Sequence, residues 1–91
     1  TAAVCWGDPS AHALLKFCRL NQIRVPNDLA VVGFNGIEPP VEPAQSLTTV
    51  RAGWSTVAQQ AVHLLVNRLE GHEEVPDLTV LPVEFVSGET T

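Results

Sequence analysis

The sequence predicts an α/β fold, an open parallel sheet with flanking helices. Three observations lead there. Apolar strands end on Asn or Gly, as in RVPNDLAVVGFNG at 24–36. Helical patterns separate the strands, and a β-branched stretch, LTTVR at 47–51, opens directly into the longest of them. The segment LAVVGF is apolar without alternation, as expected where both faces of a sheet are covered. Open sheets of this kind bind ligands in the crevice at the carboxyl ends of their strands. The strand ends therefore mark where a ligand sits before they say what it is.

The elements follow in order. Residues 2–6, AAVCW, read as a buried strand ended by Gly7 and Asp8. Asp8 suits an N-cap, and Pro9 suits the first helical position, where its missing N–H costs nothing. A helix over 9–21 buries the stripe Ala11, Leu14, Leu15 and Cys18, and Phe17 and Leu20 widen its apolar surface. A strand over 29–34 follows. Residues 35–46 form a loop stiffened by Pro39, Pro40 and Pro43. A third strand spans 47–51, and a helix spans 54–70 with Ala58, Ala61, Val62, Leu65 and Leu69 on one face. Ser55 or Thr56 is placed to cap its start, and Gly71 stands where a C′ glycine belongs. The acidic loop 73–77 precedes a last strand over 78–86, in which Pro82 marks an edge or a bend. The polar tail 87–91 reads as mobile.

Composition narrows the function classes. The 91 residues are 45% hydrophobic and 16% charged, with mean hydropathy +0.15. A chain so short buries only about 60–65% of its unfolded surface. High apolar content at that length is expected of a piece whose helices and sheet edges are covered by further chain. Net charge is −5, and the five basic residues, Lys16, Arg19, Arg24, Arg51 and Arg68, form no patch. Nucleic-acid binding needs Lys and Arg to neutralise many backbone phosphates, so this segment is not expected to touch DNA. No apolar run approaches the ~20 residues of a membrane span, and Thr1 opens no signal-peptide pattern. Cys5 and Cys18 lack metal or redox spacing and read as small apolar residues, which fits a reducing cytoplasm.

The order VPNDLAVVGFNG, a short loop, LTTVR, a helix and then LPVEFV resembles the C-terminal part of the effector-binding domain of LacI/GalR-type transcriptional regulators. The resemblance runs the length of the chain. It implies a C-terminal fragment of a two-lobed periplasmic-binding-protein-like domain. Residues 1–46 would lie in the C-terminal lobe, 47–82 would be a hinge crossing plus a helix of the N-terminal lobe, and 83–91 would be the final strand and tail. It also implies a cytoplasmic homodimer whose DNA-binding headpiece lies outside these residues. A small-molecule effector, carbohydrate-like, would sit between the lobes.

Two strand ends are the ligand-binding candidates: Trp6, Gly7 and Asp8 at the first, Asn35 and Gly36 at the second. The family often places Asn where this chain has Gly7, and Asp–Asp or Asp–Asn where it has Asn35–Gly36. Both departures remove side chains that could hold hydroxyls, so no effector is carried over. Trp6 either stacks on a ring or plugs the strand end against a helix. Asp8 either caps its helix or adds polarity at the rim. Asn35 either faces a ligand or serves as a turn residue tolerant of left-handed backbone. Trp54 reads as packing at the hinge. By the same resemblance, Ala11, His12, Leu15, Pro40 and Pro43 are dimer-interface candidates.

Other chemistry finds no support. His12, His63 and His72 have no zinc-like spacing, and Glu73, Glu74 and Asp77 read as a solvated turn. No P-loop, G-x-G-x-x-G or G-x-S-x-G occurs, and no base accompanies Ser46, Thr48 or Thr49. Neither a catalytic residue nor a cofactor is expected. The leading reading is a ligand-sensing segment of a LacI-type regulator. A periplasmic sugar-binding protein of a transport system is the alternative, and an α/β enzyme fragment ranks below both. The isolated segment is also expected to self-associate through uncovered strands.

Overall fold

The computed structural model describes residues 1–39, 41–71 and 74–91. Its elements are β1 (Ala2–Val4), α1 (Asp8–Leu20), β2 (Ala30–Val32), β3 (Thr49–Ala52), α2 (Trp54–Glu70) and β4 (Val83–Val86). They fall into two compact units, one of 1–52 with 84–91, the other of 53–83.

In the first unit β1 and β2 pair in parallel, with Ala2 opposite Ala30 and Val4 opposite Val32. Parallel bridges at Val32–Thr48 and Asn35–Arg51 bring β3 along the other side of β2, and β3 pairs with β4. Val31 is fully buried, as an apolar strand covered on both faces should be. The strands are shorter than the apolar runs that announce them. Trp6 and Phe34 stand beyond the ends of β1 and β2, where the chain turns out of the ladder. Ala11 and Cys18 of the α1 stripe are buried, Leu14 and Leu15 are half-buried, and Phe17 and Leu20 are exposed.

Three local expectations are corrected. The N-cap of α1 is Gly7, not Asp8, and no side chain caps it. Gly7 sits in extended backbone and passes its carbonyl to Ala11 N at 3.1 Å, which frees the Asp8 side chain for longer-range bonds. The N-cap of α2 is Gly53, so neither Ser55 nor Thr56 caps it. Tail 87–91 is bound in place. Thr90 O accepts from Val31 N at 2.8 Å, beside the start of β2, and Thr90 is 0% exposed. Isolated polar residues look mobile in a sequence, but here Gly88, Glu89, Thr90 and Thr91 all find partners in the 46–48 segment or in β2.

The second unit is built on α2. Gly71 ends the helix in left-handed backbone, with φ 69°, as a C-terminal glycine does. No residue of α2 is buried. Val62, Leu65 and Leu69 of its apolar face are exposed, Leu69 to 77%. Trp54 opens the helix and is half exposed.

Candidate functional site

The carboxyl ends of β1 and β2 lie beside the start of β3, and Asp8 ties the three strands together. Its carboxylate is 1% exposed. One oxygen accepts from Ile37 N and the other from Thr49 Oγ1, both at 2.6 Å. The first turn of α1, the loop after β2 and the start of β3 are thus fastened by one side chain. Asp8 N donates to Phe34 O at 2.9 Å and adds a third attachment. A buried carboxylate needs such partners, since without them burial would neutralise it. Both of its oxygens are engaged internally, and they hold these three segments together. Gly33 makes this possible: a Cβ there would collide with Asp8 Oδ1 and stand 2.7 Å from Leu47 Cδ2.

The other candidates surround this knot. Trp6 is 94% exposed, so it does not plug the strand end within this chain. Gly7 is buried, and a Cβ placed on it would stand 3.6 Å from Asn35 Nδ2. Asn35 and Gly36 both take left-handed backbone, with φ of 99° and 68°. That conformation is uncommon for a residue with a Cβ, and Asn tolerates it better than most. It turns the chain sharply out of β2 while Asn35 N still donates to Val50 O at 2.8 Å.

Of the interface candidates, Ala11 is 0% exposed and belongs to the core, so its methyl offers no surface to a second copy. His12, Leu15 and Pro43 line one cavity of about 580 Å³ between α1 and the 39–45 loop. Pro40 lies outside the described residues, as do His72 and Glu73. Among the described residues no group of His, Cys, Asp and Glu is arranged to hold a metal, and no helix is long and apolar enough to cross a membrane.

Sequence reasoning missed the structural roles of Thr49 and the tail. Glu89 accepts from Ser46 N at 2.8 Å and from Ser46 Oγ at 3.1 Å, and these bonds hold its carboxyl below the usual range. Thr90 Oγ1 donates to Val31 O at 2.7 Å and accepts from Thr48 N at 2.9 Å. The available signal was the matching Ser/Thr density of 46–49 and 87–91. Far from this site, the Arg24 guanidinium is bonded to Asp28 at 2.6 Å and holds that exposed carboxyl at about 2.

The model of the periplasmic binding protein-like domain matches residues 1–91. The HTH-type transcriptional repressor PurR of Glaesserella parasuis is 29% identical over 82 residues, which is 90% of this chain and 24% of that protein. The lac repressor dimer, in a crystal structure bound to operator and the anti-inducer ONPF, superposes with a TM-score of 0.89 at 27% identity, over 99% of this chain and 27% of that one. A LacI family regulator from Arthrobacter sp. FB24, in complex with lactose, superposes with a TM-score of 0.84 at 31% identity, over 99% and 34%. The chain therefore spans about a quarter to a third of the length of these relatives. Matched from end to end, it belongs to the family of periplasmic binding protein-like domains, in the form that LacI-type transcriptional regulators carry.

Proposed function

We infer that these residues are the ligand-sensing C-terminal part of a LacI-type transcriptional regulator. A carbohydrate-like small molecule binds at the strand ends, and its binding changes the affinity of a separate headpiece for operator DNA. The observation that carries this reading is the fastening of three strands by Asp8. Trp6 stands exposed and Asn35 and Gly36 half-buried near that fastening, and strand ends are where open parallel sheets take ligands. The relatives support it, since one carries lactose and another is bound to operator as a dimer. The division at Gly53 and Val83 supports assigning the first unit to one lobe and α2 to the other, with chain crossings at those points. A ligand that bridges two lobes acts on DNA only if it binds one arrangement of them better than the other. The reading makes the protein a cytoplasmic homodimer and not an enzyme. His12, Leu15 and Pro43 remain interface candidates, and Ala11 drops out because it is buried.

The test uses the intact protein and DNA flanking its own gene. Retardation of that DNA in a gel, changed by added mono- or disaccharides, is the expected result. An exported protein with a cleaved signal peptide that captures sugar and retards no DNA would establish the alternative, a transport component. The Asn35→Ala variant should weaken the sugar response while DNA affinity without sugar stays within about twofold.

A further inference from the structure

Gly7, Asn35 and Arg51 form a row across three adjacent strand ends. The β1–β2 register, continued past Val4 and Val32, sets Gly7 opposite Asn35, and the 3.6 Å approach to Asn35 Nδ2 agrees. On the other side, Asn35 bridges to Arg51. Gly36 lets the arginine stem pass beneath the loop, because a Cβ at Gly36 would stand 2.6 Å from both Cβ and Cγ of Arg51. The row thus reads bare backbone, amide, guanidinium.

Arg51 is exposed, and among the described residues no carboxylate pairs with it. The nearby carboxylate of Asp8 is buried and spent on Ile37 N and Thr49 Oγ1. Glu38 and Glu42 line the same open cavity of about 390 Å³ as Arg51, but neither forms an ion pair with it. A forked donor without an ion-pair partner among the described residues, set beside an amide at a ligand-binding edge, matches a planar or tetrahedral anion.

We propose that this row holds an anionic group, a carboxylate or a phosphate, on a carbohydrate-like effector. Arg51 is the charged anchor and Asn35 the adjoining hydrogen-bond partner. Gly7 is buried behind them and lets the Asn35 amide lie close against the end of β1. The inference rests on the effector-binding reading above and names the class of ligand.

The experiment is calorimetry on the intact protein at low salt. The probes are two matched sets: glucose, glucuronate and glucose 6-phosphate; then galactose, galacturonate and galactose 6-phosphate. At least one anionic member should bind about tenfold or more tighter than its neutral parent. Carboxylate and phosphate sources are told apart by which member does so. Arg51→Gln should erase that preference. Asn35→Asp, which sets a carboxylate beside Arg51 and still tolerates left-handed backbone, should weaken the anion by a similar factor. Circular dichroism of both variants confirms that the fold is kept. Neutral parents binding as tightly as their anions, an anion preference that survives Arg51→Gln, or no binding by any of the six overturns the proposal. A neutral sugar that still releases DNA would leave the regulator reading intact while sinking this one, so the two failures are distinguishable.

Discussion

Single side chains decide the geometry of the strand ends, and Asp8 is the clearest case. Asp8→Asn keeps the shape but turns one acceptor into a donor facing Ile37 N–H or the Thr49 hydroxyl. A buried polar group left without its partner costs about 1–3 kcal/mol, so thermal denaturation should show a loss of that order. Gly33→Ala attacks the same knot from below, because its methyl meets Asp8 Oδ1 and the Leu47 side chain. Overpacking at such a site costs about 1–3 kcal/mol. If the two substitutions act on one network, the double variant should be less destabilised than the sum of the singles. At this scale the sequence was partly legible. Asp8 and Asn35 were visible as residues with two possible uses, and the second use of Asp8 depends on contacts 29 and 41 positions away. No local pattern encodes those distances.

Among the elements, helices were more legible than strands. The 3.6-residue pattern of 54–70 gives α2 its observed bounds, and Gly71 ends it as its position requires. Strand ends blurred because apolar character continues past the last ladder bond, to Trp6 after β1 and to Phe34 after β2. The tail was misread for a different reason: its partners are the equally polar residues 46–48, and polar pairing leaves no hydrophobic period to read. It behaves as a clasp. Thr90→Val would leave Thr48 N–H and Val31 C=O without the hydroxyl that joins them, and should lower stability by about 1–3 kcal/mol. The clasp also responds to acid. The Glu89 carboxyl is lowered from its ordinary 4.5, first by the Ser46 backbone N–H and then by the Ser46 hydroxyl. A lowered carboxyl stabilises the fold above its ordinary value and loses that contribution as pH falls through the lowered one. Protection of the tail amides from hydrogen exchange should therefore be full at neutral pH and fall only below the usual carboxylate range. Glu89→Gln should remove that pH dependence.

For the whole molecule, fold class was the most legible level, because alternating apolar strands and amphipathic helices leave few architectures open. Burial was the least legible. Val4, Trp6, Val62, Leu65 and Leu69 are apolar and exposed, and so much uncovered surface promotes association. These 91 residues alone should form oligomers by light scattering at high concentration, and a monodisperse monomer would refute that. The clasp has one more consequence. Val31 and Thr90 are 59 positions apart, yet the far side of β2 opens against Thr90. During synthesis those groups of β2 wait without their partners until Thr90 has left the ribosome. Contacts this distant slow folding and leave strand edges open to other chains in the meantime. The nascent chain therefore stays open to aggregation until Thr90 has emerged, and a ribosome stalled shortly before Thr90 should hold a chain that chaperones still recognise as unfinished.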